Sequence, residues 1–535
     1  MSAVTPDRCC GPSKRRRCTY SVRCSAPSDA GTTSGGGSAS VIYLIPELLL
    51  VLVGAIGLVI ACAPSRERLR AYTVLGGVAC IGGAVGAGYL AHLATTAEGA
   101  QIAESAPVYL STTLALDPFS RVFAALALLV CGLTFIFSKE YLERRLDDHQ
   151  PELLAIIAFA SMGMCTLAAA RELITIWFSV ELLSVCGYVL AAFLKDDERS
   201  VEAALKYFIL GATSSVFMLF GLSYVYGLTG RLDLVGIMEA TAGGNIGVLL
   251  PTAAVLMLVG FGFKVAMVPF HMWCPDVYEG APTPVTAFLS VGPKLAALAA
   301  LARVFSIAFP HDTARVAWEG VLFWGAILSM TLGNAVALKQ SNIKRMLAYS
   351  SIAHAGYMLV AVFVTLQTDM ALAALSVYAF AYLFMNLGAF AVIIAFSNHT
   401  RSDSVRSYNG LAIRSPYLAW SWVVFGISLV GLPPLAGFLG KVFIIMAAVD
   451  TGLTWGSPLM WLLIVLVLNS VVSLYYYIGV AGRMFFKPPV TDEPVPVGGG
   501  VGTAIGICLA GTFLMVLAAG PIISAIQSSA LFVLR

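Results

Sequence analysis

Long apolar stretches separated by short polar loops dominate the chain from Val41 onward. Each stretch has about 20 residues or more, which is enough for a helix to cross the hydrocarbon core of a bilayer. They lie at about 41–62, 72–95, 118–138, 152–170, 172–194, 202–229, 248–272, 284–306, 316–338, 345–366, 370–396, 416–449, 457–481 and 499–531. This pattern predicts an all-α polytopic membrane protein with about fourteen transmembrane helices.

Composition agrees with lipid as the main solvent of the chain. Hydrophobic residues make up 59% of the sequence and charged residues only 11%, whereas a soluble domain has about 25% charged residues. A soluble protein this apolar would expose large hydrophobic patches and aggregate. We therefore expect the lipid bilayer, and no nucleic acid, as a partner.

Basic residues are distributed unequally between alternate loops, and this predicts the orientation. One set of loops carries sixteen: Arg66, Arg68, Arg70, Lys139, Arg144, Arg145, Lys195, Arg199, Lys339, Lys344, Arg345, Arg401, Arg406, Arg414, Arg483 and Lys487. The opposite loops and span ends carry six: Arg121, Arg171, Arg231, Arg303, Arg315 and Arg535. Because the richer side is normally cytoplasmic, fourteen spans would place both termini on the outer face of a bacterial inner membrane.

Residues 1–40 differ from the rest of the chain and conflict with that orientation. They are rich in Ser, Gly, Cys and Arg, include a basic run at Lys14–Arg17, and lack the apolar core of a signal peptide. This composition predicts disorder. We also expect that the segment comes from an upstream start-codon assignment, with the protein itself beginning near Val41.

Five charged residues lie inside apolar spans, where charge is costly. They are Glu181, Lys206, Lys264, Lys294 and Lys441. A charge at mid-bilayer costs about 2.5–3.5 kcal/mol on insertion scales. These groups therefore need a paired charge, internal water or loss of their own charge.

A structural interpretation of these residues remains open beside a functional one. Lysine can extend its amine from a helix end to the headgroups, which suits Lys206 because the charged loop at 195–200 is close. That explanation fits Lys264 poorly, since this residue lies about 16 positions into its span. Lys294 and Lys441 could have structural roles, and Glu181 could be a core carboxylate, although an ion pair with a buried lysine is favoured.

Proton transfer is the chemistry that buried lysines support. Burial favours the neutral amine and a nearby carboxylate favours the charged one, so a lysine whose partner moves can change its protonation state. Glu181 with Lys206 or Lys264 would form such a switch, Lys294 would pass the proton on, and Lys441 would be terminal. His354 could bridge Lys294 and Lys441 through water, or could be a hydrogen-bonded core histidine.

Prolines near two of these lysines predict broken helices. Lys264 precedes Pro269 by five residues, and Lys441 follows Pro434 by seven. Proline frees a helix carbonyl, and such breaks are tolerated in membranes where they line polar cavities. Breaks in corresponding spans, the seventh and the twelfth, suggest two inverted five-helix repeats, spans 4–8 and 9–13.

The predicted domain organisation follows from these repeats. It consists of a tail at 1–40, helices 1–3 at 41–145, a first repeat at 146–310, a second repeat at 311–485, and a loop with the last helix at 486–535. The seven cysteines outside the tail occur singly and form no CxxC or Cys/His cluster. We therefore expect no iron–sulfur or zinc site in the core.

Four segments resemble the N subunits of bacterial respiratory complex I, the NADH–quinone oxidoreductase. They are VELLSVCGYVL at 180–190, the stretch from GFGFKVAMVPFHMW to LAALAR at 260–303, ALKQSNIKRMLAYSSIAHAGYML at 337–359, and PPLAGFLGKVF at 433–443. The resemblance covers roughly residues 41–490. These motifs are long and specific, while residues 1–40 have no counterpart in the family pattern.

The resemblance implies roles for the intramembrane residues. Glu181 and Lys264 would be the pair that controls proton uptake, Lys294 the connecting residue, and Lys441 the lysine that faces the exit side. Lys206 matches a further lysine of the sixth helix. Lys441 favours subunit N over its sister subunit M, which typically has Glu at this position.

The resemblance also implies what lies outside this chain. Flavin, iron–sulfur clusters, NADH and quinone would bind other subunits, so this chain would hold no cofactor. Its partners would be the antiporter-like subunit M and the small subunits K and J of the membrane arm.

Three alternatives compete with this assignment. A subunit of a multisubunit cation/proton antiporter would share the broken helices and lysines, and so would a membrane-bound hydrogenase or related dehydrogenase module. The sequence of residues 268–285 favours complex I over both. The third alternative is a structural scaffold in which the lysines are inert.

Overall fold

The computed structural model describes residues 42–96, 112–145, 150–242 and 247–517. The prediction of a disordered tail at 1–40 and the end of the fourteenth predicted span lie outside these residues. Each predicted span is helical within these residues, apart from short ends and the breaks in the seventh and twelfth spans.

Eighteen α-helices make up the fold within the described ranges. They are α1 (Ile45–Ala61), α2 (Arg66–Leu93), α3 (Pro118–Arg145), α4 (Gln150–Ala169), α5 (Leu173–Ala191), α6 (Glu198–Thr229), α7 (Leu234–Thr241), α8 (Leu249–Val265), α9 (Trp273–Gly280), α10 (Thr283–Ala308), α11 (Asp312–Ala337), α12 (Ile343–Phe363), α13 (Met370–Thr400), α14 (Leu411–Arg414), α15 (Pro416–Val430), α16 (Ala436–Asp450), α17 (Pro458–Phe486) and α18 (Gly499–Leu517).

The prediction of a polytopic helical membrane protein is confirmed. Twelve helices in the described segments are long and apolar enough to cross a membrane, and two shorter apolar helices, α8 and α15, account for the remaining spans. These two are the first halves of the seventh and twelfth spans. The domain boundaries stay a prediction.

Both predicted breaks are present. Helix α8 ends at Val265 and is followed by Ala266 in the left-handed region, with a φ of 61°. Helix α15 ends at Val430 and is followed by Gly431, with a φ of 85°. Each break contains a cis X-Pro peptide bond, Val268-Pro269 and Pro433-Pro434.

The spans predicted at 248–272 and 284–306 leave a loop near 275–283 between them, and that prediction was wrong for most of the segment. The chain forms α9 from Trp273 to Gly280, so the seventh span continues as a second half-helix beyond its break. Three prolines in a short stretch made this segment resemble a loop. Of these, Pro275 lies in the first turn, where its missing N–H costs little.

Ion pairs and β-bridges show which helix ends share a face. Arg70 at the start of α2 pairs with Glu143 at the end of α3, and Lys344 at the start of α12 pairs with Asp403 after α13. These contacts join the loops that carry sixteen basic residues, here called the basic face. On the opposite face, bridges join Leu114 to Ala170 and Glu172 to Asp233. These contacts are the ones expected if alternate loops lie on opposite faces, and the orientation itself stays a prediction.

The centre of the molecule is formed by α10, α12 and α13. Their most apolar 18-residue windows are 100%, 94% and 89% buried, whereas those of α1, α6 and α17 are 33% buried. The outer helices present apolar side chains to the surroundings, as a lipid-facing surface requires. The central helices carry Lys294 and His354, which places them far from the lipid-facing surface.

Two arginines that count toward the opposite face are enclosed in ion pairs. Arg121 pairs with Glu47 at 2.9 Å, and Arg303 pairs with Asp117 at 2.6 Å. Both arginine side chains are almost completely buried. A paired, buried arginine is not a free loop charge, so these two residues do not bear on orientation.

Candidate functional site

Lys294 lies in the middle of α10, the most enclosed helix, and its side chain is buried. Its amine donates to the hydroxyl of Ser351 at 2.5 Å and approaches the sulfur of Cys274 at 3.6 Å. The same amine lies 5.3 Å from the ring centroid of Tyr278. None of these partners is a carboxylate, so a neutral amine and a charged one can both be accommodated here.

Ser351 joins Lys294 to a row of aromatic side chains. Tyr382 donates to the Ser351 hydroxyl at 2.9 Å, and the ring centroid of Tyr382 lies 5.2 Å from that of His354. His354 in turn contacts the ring of Tyr357, with centroids 5.4 Å apart. These contacts therefore run without interruption from α10 to the break in the twelfth span.

His354 is both buried and hydrogen-bonded. Its Nδ1 lies 2.8 Å from the hydroxyl of Tyr378. This fits the alternative of a satisfied core histidine, but the ring also lies between Lys294 and Lys441 in the aromatic row. Its predicted role as a bridge stays a prediction.

Lys441 is held by the break in the twelfth span. Its amine donates to the carbonyl of Val430, the last residue of α15, at 2.7 Å, and to the hydroxyl of Ser470 at 2.9 Å. A helix end leaves carbonyls without intrahelical partners and carries partial negative charge. The break thus supplies the acceptor that a buried amine needs, and the ring of Tyr357 lies 4.6 Å from the same amine.

Lys264 lies in the last turn of α8, before the break in the seventh span, and has no hydrogen-bond partner among the described residues. Its side chain is 2% exposed. The amine lies 5.7 Å from the ring centroid of Tyr207 and 6.0 Å from that of Phe263. Glu181 accepts a hydrogen bond from Ser215, so the predicted Glu181–Lys264 ion pair is not formed within the described ranges.

Lys206 differs from the other three lysines, and its expected burial was wrong. Its side chain is 46% exposed and pairs with Glu202 at 2.7 Å and with Asp276 at 2.9 Å. The position two turns into α6 brings it close to the basic face. The alternative of an amine extended toward the membrane surface therefore describes Lys206 better than a place in the buried row.

Asp276 at the basic face links three helices. Its carboxylate is shared by Lys206 of α6 and Arg345 of α12, and Arg345 also pairs with Glu279, both arginine distances being 2.8 Å. The cluster lines a cavity of about 270 Å³.

An amide network beside Lys441 was not predicted from the sequence. Asn334 is fully buried, donates to the hydroxyl of Tyr357 at 3.0 Å and accepts from Tyr476 at 3.0 Å. It also contacts the amide of Asn469 at 3.3 Å. The available signal was an Asn in each of two apolar helices, but a single Asn does not reveal its partner.

No group of three or more His, Cys, Asp or Glu side chains suited to a metal ion occurs in the parts of the chain that the structure describes. The expectation that this chain holds no cofactor stays a prediction.

Comparison with known proteins assigns the family. A family model described as the transmembrane region of NADH:quinone oxidoreductases and Mrp antiporters matches residues 170–469, which is more than half of the chain. Subunit N of the NADH-quinone oxidoreductase of Trichlorobacter lovleyi is 43% identical over 450 residues, covering 83% of this chain and 87% of the relative. The chain belongs to the NADH-quinone oxidoreductase subunit N family.

Solved structures agree with membership of the subunit N family. A chain of respiratory complex I from Thermus thermophilus matches with a TM-score of 0.73 and 31% identity, covering 91% of this chain and 100% of that chain. A chain of the Mrp complex from Dietzia sp. matches with a TM-score of 0.76 but only 18% identity, covering 93% and 98%. The second likeness shows a shared fold alone, and the first agrees with the subunit N assignment in sequence as well.

Proposed function

We propose that this chain moves protons across the bacterial membrane as part of the membrane arm of respiratory complex I. The observation that carries the proposal is the burial of Lys264, Lys294 and Lys441 within the apolar fold, two of them at helix breaks. Each such charge opposes folding in a membrane by about 2.5–3.5 kcal/mol. A role in which these amines lose and regain a proton explains why charged groups are present despite this cost.

Each buried lysine receives a role from its surroundings. Lys264 with Glu181 controls proton uptake, because both groups have other contacts available when they separate. Lys294 connects the two halves, since its partners Ser351 and Cys274 are neutral groups that leave its charge free to change. Lys441 is the terminal lysine, and the Val430 carbonyl favours its protonated form.

His354 completes the row between the two halves. Its ring contacts those of Tyr382 and Tyr357, so small movements of these side chains, with internal water, would connect Lys294 to Lys441. Lys206 acts outside this row. Its ion pair with Asp276 positions α9 at the basic face.

Energy for this transfer comes from other subunits. We expect flavin, iron–sulfur clusters and the quinone to bind there, and subunits M, K and J to neighbour this chain in the membrane arm. The basic face would be cytoplasmic, with both termini on the outer side. Moving one charge across 100 mV requires about 2.3 kcal/mol, so coupled changes at the Glu181–Lys264 pair must reach at least that size.

The antiporter and scaffold alternatives are less well supported. The 43% identity is to a subunit of a quinone oxidoreductase, while the Mrp chain shares the fold at 18% identity. A scaffold has no need for three buried amines, because apolar residues of similar volume would avoid their desolvation cost.

Proton translocation by the assembled complex in sealed vesicles tests the proposal. With Lys264→Ala, we expect fewer protons moved per electron passed from NADH to quinone. Lys339→Ala is the matched control, since Lys339 is an exposed loop lysine and its loss should leave the ratio unchanged. An unchanged ratio with Lys264→Ala, in a complex that assembles fully, would support the scaffold alternative.

A further inference from the structure

Lys264 presents a buried amine without a hydrogen-bond partner in the part of the chain that the structure describes. Its side chain is 2% exposed, and buried polar groups in native proteins are nearly always satisfied. Some other interaction must therefore compensate the ammonium form of Lys264 at this position.

Aromatic rings surround that amine. The ring centroid of Tyr207 lies 5.7 Å away and that of Phe263 lies 6.0 Å away. A cation within about 6 Å of an aromatic face is attracted by the negative potential of that face, and the attraction increases when the cation is removed from water. The rings therefore offer Lys264 a partner that is not a carboxylate.

Tyr207 is held rigidly in this position. Its ring stacks on that of Trp273, with centroids 4.4 Å apart and an interplanar angle of 16°. Trp273 is fixed in turn by a hydrogen bond from its indole N–H to the carbonyl of Phe263 at 2.9 Å. Because Phe263 belongs to α8 and Trp273 to α9, this hydrogen bond spans the break in the seventh span, and Tyr207 of α6 packs against its far side.

Glu181, the expected partner of Lys264, has a different contact. Its carboxylate accepts a hydrogen bond from the hydroxyl of Ser215, and Trp177 donates to the same hydroxyl at 3.3 Å. Each member of the expected ion pair therefore has a separate partner in this structure. The two partners, Ser215 and Tyr207, both lie on α6.

We propose that Tyr207 is a positioning residue that holds the Lys264 ammonium whenever the Glu181–Lys264 pair is open, while Ser215 holds the Glu181 carboxylate. This inference rests on the proposed function and identifies the side chains that define the second state of its uptake switch. Without them, separating the pair would leave a bare ammonium in an apolar environment. With them, the charge of the lysine is partly compensated in a second position, and a change elsewhere in the complex can shift it between the two.

The same aromatic group connects the switch to the next lysine. Trp273 is followed directly by Cys274, whose sulfur contacts the amine of Lys294 at 3.6 Å. A movement of α9 that disturbs the stack on Tyr207 would therefore also move the contact of Lys294. The open position of Lys264 and the surroundings of Lys294 are linked through one short helix.

A graded weakening of the ring at position 207 tests this inference in the whole complex. Phenylalanine analogues with one, two and three ring fluorines keep the shape of the ring almost constant while reducing the negative potential of its face. Tyr207→Phe keeps that face and is the reference for the series. Each added fluorine should then lower the rate of proton translocation, with a several-fold fall across the series.

The same analogues at Phe208 provide the matched control. Phe208 is adjacent in sequence, but its side chain is exposed and its described ring contact is with Tyr188 rather than with Lys264. Fluorination there should have no effect on the rate. All variants are compared at equal amounts of assembled complex in sealed vesicles.

Two results would overturn the inference. Equal rates across the series at position 207 would show that the ring potential is not used, and a full loss with Tyr207→Phe would assign the role to the hydroxyl. Neither result would touch the proposed function if Lys264→Ala still lowers the protons moved per electron. Conversely, a Lys264→Ala complex with normal pumping would reject the proposed function itself.

Discussion

At the scale of single residues, Gly431 is as important to Lys441 as the lysine's hydrogen-bond partners. Gly431 has a φ of 85°, a conformation that residues with a side chain rarely adopt. A Cβ at this position would lie 2.8 Å from Cδ and 3.2 Å from Nζ of Lys441. The absence of a side chain at the break therefore allows the amine to reach the Val430 carbonyl.

Gly431→Ala should displace the amine of Lys441 and reduce proton translocation while electron transfer continues. The physical reason is the combination of backbone strain and direct contact with the lysine. The rate of proton uptake or release by sealed vesicles measures the effect. Gly426→Ala in the same helix is the control, because a Cβ there meets its nearest neighbour only at 3.6 Å. Equal translocation by the two variants would contradict this view of the break.

The sequence revealed the buried lysines but not what surrounds them. Lys264, Lys294 and Lys441 could be found because a charge in an apolar span is costly wherever it points. Ser351 and Asn334 could not, since uncharged polar residues are common in membrane helices and their roles depend on which helix they face. Lys206 was misjudged because its burial depends on a position near the membrane surface that hydropathy does not resolve.

At the scale of elements, α9 is held at both of its ends. Its first residue, Trp273, stacks on Tyr207, and Asp276 in the same turn pairs with Lys206 and Arg345. Near its outer end, Glu279 also pairs with Arg345. A half-helix of eight residues has few hydrogen bonds of its own. Contacts with α6 and α12 therefore determine its position.

Asp276→Asn should loosen α9 because it removes the charge that both cations share. We expect faster amide hydrogen exchange across residues 273–280, measured by mass spectrometry on the purified complex. Glu202→Gln is the comparison, since the Glu202–Lys206 pair lies within α6 and does not restrain α9. If both variants exchange at the wild-type rate, the ion pairs of Asp276 do not hold this helix.

The prolines predicted the positions of the helix breaks, but not the backbone conformation at each break. The pattern placed interruptions near Pro269 and Pro434, and both were found. It could not predict that Ala266 would adopt a φ of 61°, because alanine has no preference for that region. Tertiary contacts, such as the hydrogen bond from the Val268 N–H to Ser329 at 2.9 Å, stabilise the conformation.

At the scale of the whole molecule, one buried ion pair joins two of the first three helices to each other, and a second joins them to the rest. Arg121 of α3 pairs with Glu47 of α1, and Arg303 of α10 pairs with Asp117 before α3. Breaking a buried pair from one side leaves an uncompensated charge, which costs about 3–5 kcal/mol. These pairs therefore contribute to the integrity of the fold rather than to proton transfer.

Glu47→Gln should lower the thermal stability of the assembled complex markedly, because Arg121 is fully buried and would keep its charge. The midpoint of thermal disassembly measures the change. Glu143→Gln removes one partner of the exposed Arg70–Glu143 pair and should cost at most about 1 kcal/mol. Similar midpoints for the two variants would show that burial of the first pair does not matter to stability.

The number of spans was predictable because hydropathy is a property of the sequence along the chain. Which helices are buried most deeply could not be predicted. Apolar side chains face either lipid or protein in a membrane, so hydropathy cannot separate α10, which is fully enclosed, from α6, which lies at the periphery. Enclosed helices differ from peripheral helices in their small and polar residues. Which of these residues contact each other depends on the neighbouring helices.

A structure of the assembled membrane arm with ordered water resolved around the three buried lysines tests the central claim most directly. We expect hydrogen-bonded water to join Lys264 to Lys294, and Lys294 through His354 to Lys441, in at least one state of the working enzyme. Dry, apolar packing between these amines in every state would contradict a path for protons through this chain.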